Sequence, residues 1–244
     1  MKYKRNFITS VILKVDFNMI DGFDASKFAE LKKEYPIEKV HQRTEFLTQL
    51  SKEKQTVDQR TFSEYRYYDE NMENYFSVSE SSCFFELKNH VGFDVLKKQF
   101  EKVFATLKNQ FNFEDVNRVG LRYINVIPYN KGTDWRKYIA AELSSIDKFY
   151  NNIGKKLFKK LLCLSRVSLK NEDTIINFIA GNPNKNYPAA ITKEELLLDY
   201  DSFCSNVDVD DVVSKLEILH QNILSLFEKS ITEELRILMK VEEK

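Results

Sequence analysis

Apolar and polar residues alternate along two stretches of the chain, from Val11 to Met19 and from Val119 to Ile127. Successive side chains of a β-strand point to opposite faces, so each stretch predicts a strand with one buried face. Aromatic and β-branched residues dominate three segments between them, separated by polar turns. These segments predict an antiparallel meander: Phe62–Tyr68, Tyr75–Val78 and Cys83–Leu87. Residues 39–59 are polar and weakly patterned, and no element is predicted for them.

Apolar residues recur at helical spacing in four other segments. Asp24 can cap a short helix that Pro36 ends. Longer helices are predicted over residues 93–111 and over residues 209–239. A further helix over residues 134–149 is expected to bury five side chains: Trp135, Tyr138, Ile139, Leu143 and Ile146.

Two strands over residues 161–169 and 174–180 predict a hairpin, and a further strand is predicted over residues 196–200. Several strands follow one another without an intervening helix, which argues against a doubly wound parallel sheet. The predicted fold class is α+β, with two packed α+β lobes, antiparallel sheets, covering helices and a long C-terminal helix. Because no Gly/Ser-rich linker interrupts the chain, we expect residues 1–244 to behave as a single domain, which two intimately packed lobes, 1–130 and 131–244, could form.

The clearest helix, the clearest strand and the one tryptophan predict the core. Their apolar faces should be buried, in particular Phe100, Phe104, Leu107, Leu121, Tyr123 and Trp135.

Charge and cysteine content narrow the class of protein. Lysine plus arginine equals aspartate plus glutamate at 37 each, so no net field attracts nucleic acid or an anionic membrane. The three cysteines are odd in number and far apart, which is typical of reduced thiols in a cytosolic protein. No signal peptide is recognised, and no apolar run approaches the ~20 residues that a membrane span needs. A cytoplasmic protein without membrane contact is therefore expected.

The segment Arg118-Val119-Gly120-Leu121-Arg122-Tyr123-Ile124-Asn125 is the most distinctive in the chain. Together with the opening strand and the closing helix, from Leu219-His220 to Leu235-Arg236, it resembles a sporadically distributed family of bacterial conserved hypothetical proteins. The resemblance extends over essentially the whole chain. It implies no catalytic residues, but the patchy occurrence of the family implies an association with mobile elements, defence loci or toxin–antitoxin loci.

Arg118, Gly120 and Arg122 alternate on one strand and therefore project to the same face. Two guanidinium groups beside a bare backbone could clamp a phosphate or a carboxylate. Alternatively, both arginines pair with acidic residues of the same chain and have a structural role. Both interpretations remain open from the sequence.

A metal-dependent nuclease is the alternative enzymatic hypothesis. Glu86 and Lys88 form an E-x-K pattern at the end of a predicted strand, and Asp69 precedes them, which is the minimal arrangement by which some nucleases hold Mg²⁺. Asp199 and Asp201 alternate on another strand and could bind a divalent cation. His41, His90 and His220 have no ligand spacing to a cysteine, and no Gly-rich phosphate loop occurs. No metal or other cofactor is therefore predicted.

Charge is distributed unevenly although it sums to zero. Residues 148–170 contain seven basic residues and no acidic one, whereas residues 194–211 contain seven acidic residues and no basic one. The two segments could face each other or form separate poles. An exposed basic segment, through Lys155, Lys156, Lys159 and Lys160, could bind the phosphate backbone of RNA or DNA.

No complete catalytic constellation is found in a chain long enough to hold one. The leading hypothesis is therefore a non-enzymatic interaction module, an accessory or immunity-type protein that binds another protein encoded in its own locus. The alternative is a nucleic-acid-binding protein or a metal-dependent nuclease.

Overall fold

A computed structural model describes residues 3–50, 55–88, 92–111, 113, 115–130, 132–153 and 160–239. Within them the fold is α+β, which confirms the predicted class, and nine strands form one antiparallel sheet in the order β2-β3-β4-β5-β1-β6-β9-β8-β7. The strands are β1 Ile8–Phe17, β2 Ile37–Leu50, β3 Gln55–Tyr68, β4 Asn74–Val78, β5 Ser82–Leu87, β6 Asp115–Pro128, β7 Cys163–Asn171, β8 Thr174–Asn182 and β9 Glu195–Asp208. The α-helices are α1 Phe93–Gln110, α2 Ser145–Ile153, α3 Val212–Ser230 and α4 Glu233–Met239. None of these helices is both long and apolar enough to span a bilayer.

The chain divides into two compact units that interleave in sequence. One contains the residues up to Val11, Gly120–Cys204 and the residues from Leu216 onward, and the other contains Ile12–Val119 and Ser205–Lys215. The division falls inside β1, β6 and β9. It therefore differs from the sequence expectation of two contiguous lobes that meet near residue 130.

The unit built from Ile12–Val119 contains the meander and α1. β3 pairs with β2 along its whole length and with β4 over Tyr65–Tyr68. Tyr67 stacks on Phe76 at 4.8 Å, and the edge of Phe100 from α1 meets Phe85 at 6.0 Å. The buried face of α1 consists of Leu96, Phe100, Val103, Phe104 and Leu107. This face follows the 3.6-residue helical period, which is why the sequence predicted it.

The other unit contains the hairpin β7–β8, which β9 extends. Phe178 stacks on Tyr200 at 4.6 Å, and Phe227 of α3 meets Tyr200 edge to face at 6.0 Å. The six side chains predicted to form the core, Phe100, Phe104, Leu107, Leu121, Tyr123 and Trp135, are all buried, with 0 to 6% exposure. Burial of these large apolar groups supplies the main driving force for folding.

Two parts of the strand prediction need correction. Residues 39–50 and 55–59, for which no element was predicted, form most of β2 and the start of β3, because backbone pairing needs no apolar pattern in the sequence. The first strand begins at Ile8 and ends at Phe17, so Met19 lies beyond it with 45% of its surface exposed.

The helix predicted over residues 134–149 is wrong as a single element. Two 3₁₀ turns, Trp135–Tyr138 and Ala141–Ser144, precede α2. The extended backbone between the turns bonds to the end of α3, where the Ala140 N–H donates to the Ser230 carbonyl at 2.8 Å. Ile146 is 57% exposed instead of buried. The inward position on α2 is occupied by Asp147, which is only 3% exposed.

The long final helix is also interrupted. α3 ends at Ser230, and α4 begins at Glu233 after Ile231 forms a β-bridge with Ile139. Glu233 and Glu234 occupy the first turn of α4, where carboxylates favour a helix N-terminus. The apolar stripe continues through the break, so the period alone did not reveal it.

Candidate functional site

Arg122 on β6 is paired with a carboxylate of the same chain. Its Nε donates to Oδ1 of Asp199 on β9 at 2.8 Å, and its Nη2 donates to Oδ2 at 2.6 Å. The Asp199 side chain is 6% exposed, so the guanidinium group compensates a buried charge. The hydrogen bonds that Arg122 donates to the Asp199 carboxylate also raise the pKa of Arg122. This geometry supports the structural interpretation of Arg122.

The other two members of the proposed anion clamp share β6 with Arg122. Arg118 is half-buried, and Gly120 is buried. Arg118 belongs to the compact unit that contains Ile12–Val119, whereas Gly120 and Arg122 belong to the other unit. The three-residue clamp therefore stays a prediction.

The residues of the nuclease hypothesis lie around the meander. Asp69 organises the turn between β3 and β4, because its Oδ1 accepts the Glu73 N–H at 2.9 Å and its Oδ2 accepts the Asn74 side-chain amide at 2.8 Å. Glu86 lies on β5 opposite Tyr75, and Lys88 is exposed just after that strand. Both oxygens of Asp69 are thus engaged by the turn that the residue itself caps.

In the basic segment, Lys155, Lys156 and Lys159 lie outside the described residues. Lys160 is described, and its ammonium group points inward. It donates to Oδ1 of Asp147 at 2.5 Å and to Oδ1 of Asn182 at 3.0 Å. Its charge is therefore committed to a buried carboxylate rather than presented to a phosphate.

The polar cluster around Asp147 fixes α2 to the unit. The Asp147 carboxylate also accepts from the Asn151 amide at 3.1 Å, and the Arg136 guanidinium lies 3.8 Å away. The Tyr150 hydroxyl of α2 accepts the Lys160 N–H at 3.1 Å. These contacts place the start of the β7 segment beside α2.

Three residues of the acidic segment 194–211 find partners outside the basic segment. Asp199 pairs with Arg122, Asp210 pairs with Lys108, and Asp208 caps the 3₁₀ turn Val209–Asp211. The described contacts thus do not use these carboxylates to neutralise residues 148–170.

Cysteines and histidines form no obvious reactive centre in the described part of the chain. Cys83 and Cys204 are buried and belong to no disulfide, and burial raises the pKa of the half-buried Cys163 thiol, which disfavours the nucleophilic thiolate. His90 lies outside the described residues. Among those described, no group of three His, Cys, Asp or Glu side chains could hold a metal ion.

Several clefts lie in the unit that contains the meander, and two of them differ clearly in size. The larger, of about 710 Å³, is lined by residues from Asn18 to Lys27 and by the end of α1. A smaller one, of about 280 Å³, is lined by Lys14, Arg66 and Tyr75 among others. The ammonium group of Lys14 lies 2.6 Å from Asp16, and Arg66 Nε lies 2.6 Å from Glu64, so two of its cations already have carboxylate partners.

A different feature emerges from the exposed apolar side chains. Thirteen large apolar residues are exposed among those described, and six of them fall between residues 146 and 169. We name five of these six residues the β7/α2 surface: Ile146, Phe149, Leu162, Val167 and Leu169. The sixth, Leu164, projects from the opposite face of β7 to Val167 and Leu169. Scattered exposed apolar residues are normal, but a local concentration of this kind marks an interaction surface.

The two faces of β7 differ in character. Val167 and Leu169 lie opposite Phe178 and Ile176 of β8, so they continue the apolar face of the sheet. Leu164, Arg166, Ser168 and Lys170 project from the other face. Val167 and Leu169 are 40 and 44% exposed, although their β8 partners are buried.

β7 stands at the end of the described strand order, with β8 on one side only. Every second residue of an edge strand directs its N–H and C=O away from the sheet. Gly181 fits this hairpin closely, because it has φ +139° and a Cβ there would collide with the Cys163 carbonyl. Sequence reasoning found the hairpin and the absence of acidic residues in this segment, but neither signal identifies an edge strand.

Comparisons of the chain with protein-family models, with curated proteins and with solved structures found no match. The resemblance to a sporadically distributed bacterial family therefore remains an expectation from the sequence.

Proposed function

We propose that this protein is a non-enzymatic interaction module that binds another protein through the β7/α2 surface. The observation that carries the proposal is the concentration of exposed apolar side chains on and beside one edge strand. Large exposed apolar side chains are costly in water unless a partner covers them. A protein partner supplies both apolar side chains and backbone groups, which this surface can use together.

The alternative, phosphate binding by the basic segment, receives less support. Lys160 is the described lysine of the proposed nucleic-acid site, and Asp147 neutralises it. In the nuclease hypothesis, the carboxylate of Asp69 is engaged by its own turn. The described contacts therefore favour protein binding over nucleic-acid chemistry.

The test uses defined candidate partners, namely the purified products of the genes next to this one. Calorimetry should detect one that binds, and Leu169→Asp should weaken that binding by about 30-fold, the effect of losing one hot-spot side chain. Leu169 is 44% exposed, so the variant should remain folded. Ile237→Asp is the matched control, since Ile237 is 67% exposed on α4, and it should bind as the wild type does.

Two results together would overturn the proposal. The protein would retain labelled RNA or DNA in a salt-sensitive way, or cleave it in Mg²⁺ or Mn²⁺, and Leu169→Asp would leave partner binding unchanged.

A further inference from the structure

This inference rests on the proposed function and concerns the structure of the partner that binds β7. We infer that the partner contributes an extended segment that pairs with β7 as an additional strand and carries acidic side chains opposite Arg166 and Lys170. The partner segment would therefore be an extended peptide in which apolar and acidic residues alternate. Its backbone supplies the hydrogen bonds, and its side chains supply the specificity.

The backbone of β7 supports the first half of the inference. β7 has nine residues and contains neither proline nor glycine. Proline and short length are two common means by which proteins protect an edge strand, and β7 has neither. A segment of similar length could therefore pair along the whole strand.

The side chains of β7 define what the added strand must carry. On one face, Val167 and Leu169 would lie beside every second residue of the partner, which should be apolar. On the other face, Arg166 and Lys170 are exposed, and neither forms an ion pair within the part of the chain that the structure describes. Acidic residues at the alternate positions of the partner would therefore meet two available cations.

The neighbouring strand reinforces this charge pattern. The residue of β8 opposite Arg166 is Ile179, and the residue opposite Lys170 is Ile175. The sequence contains no acidic residue between 148 and 170. The positive potential at this edge is thus not offset by a cross-strand partner on β8.

A second copy of this chain fits the edge poorly. A twofold axis would place the two β7 strands antiparallel and bring Arg166 and Lys170 of both copies onto one face. Like charges that lie opposite each other across strands are destabilising. Arg166 and Lys170 therefore disfavour pairing with a second copy of this chain and favour pairing with an acidic partner.

Defined peptides test the inference without knowledge of the natural partner. The probes are fluorescently labelled peptides about as long as β7, one alternating valine with glutamate and the other alternating valine with lysine. Anisotropy should show that the glutamate peptide binds at least about tenfold more tightly. Methylation of the backbone nitrogens along one edge of that peptide should abolish binding, because these nitrogens then donate no hydrogen bonds to β7.

A charge-reversed variant provides the decisive arm. Arg166→Glu combined with Lys170→Glu should reverse the preference, so that the lysine peptide binds more tightly. Lys185→Glu combined with Lys229→Glu changes the net charge equally at two other exposed lysines and should leave the preference unchanged. Amide hydrogen exchange on the bound form should show new protection at alternate residues of β7.

The inference is overturned if the glutamate peptide shows no binding at about 1 mM, or if the reversal leaves its preference unaltered. These outcomes differ from a failure of the proposed function. If a partner no longer binds Leu169→Asp but still binds the charge-reversed variant, it uses the apolar surface without adding a strand. A partner that ignores Leu169→Asp would contradict the proposed function itself.

Discussion

At the residue scale, two buried carboxylates are each held by a cation from another segment of the chain. Asp199 is held by Arg122, 77 positions away, and Asp147 is held by Lys160. A buried carboxylate without a partner is destabilising, so removal of either cation costs more than the pair itself contributes. Arg122 and Lys160 both came from sequence hypotheses about anion binding, and the structure gives each of them a carboxylate partner in the same chain.

Arg122→Ala should lower the free energy of unfolding by about 1–3 kcal/mol, because it leaves the Asp199 carboxylate buried without its two charged donors. We place the loss below the range for fully buried pairs because the Arg122 side chain is 41% exposed and solvent screens part of the interaction. Urea denaturation monitored by circular dichroism measures the change.

Arg166→Ala is the control for this prediction, since Arg166 is exposed on β7 and should change stability by less than about 0.5 kcal/mol. Equal stability of wild type and Arg122→Ala would restore Arg122 as a candidate ligand-binding residue, because a residue poised for a ligand contributes little to folding.

At the element scale, the parts that the sequence predicted well are those whose pattern has a single period. The buried face of α1 and the alternation of β6 follow from helical and strand geometry alone. The failed helix at 134–149 had a suitable apolar period, but the backbone of Ala140 bonds to Ser230 in a distant helix. Such tertiary hydrogen bonds leave no local signal in the sequence.

Phe104→Ala tests the packing of α1 against the core. Phe104 is 4% exposed and stacks on Phe100 at 5.1 Å, so the substitution should cost about 3–5 kcal/mol through lost burial and a residual cavity. Val95→Ala on the same helix is the matched control, because Val95 is 40% exposed and should change stability by less than about 1 kcal/mol. Similar midpoints of denaturation for both variants would contradict the assignment of the buried face.

At the scale of the whole molecule, the candidate surface could not be predicted from the sequence, because it depends on the position of β7 in the sheet. The β7–β8 hairpin is a local feature, and two neighbouring strand-like segments in the sequence predicted it. Among the described strands β7 has a neighbour on one side only, and this position depends on the order of all nine strands, which no local pattern encodes. The exposure of Val167 and Leu169 follows from that order, so the candidate surface required the structure.

Buried tyrosines throughout the molecule make the stability of the protein depend on pH. Burial raises the pKa of seven tyrosines above the ordinary value of 10.0, because the ionised phenolate is poorly solvated inside the protein: Tyr3, Tyr35, Tyr67, Tyr75, Tyr123, Tyr129 and Tyr200. For Tyr3 the pKa rises to about 12, through burial and through the hydrogen bond that its hydroxyl donates to Glu228 at 2.7 Å. These tyrosine hydroxyls therefore lose their protons at a lower pH in the unfolded chain than in the folded protein.

The stability of the protein should therefore fall steeply as the pH rises above about 10. Below the unfolded pKa of 10.0 both states are protonated, and the full contribution of each tyrosine is present. Above it, the unfolded state releases protons that the folded state retains, and the Tyr3 contribution is lost as the pH passes through about 12. Urea midpoints between pH 8 and pH 12 measure the fall, and Tyr3→Phe should reduce its slope between pH 10 and pH 12. Tyrosinate absorbance that reaches the amplitude of all twelve tyrosines near pH 10, while the circular dichroism signal stays native, would show that the seven hydroxyls are accessible to solvent, which is incompatible with the core described above.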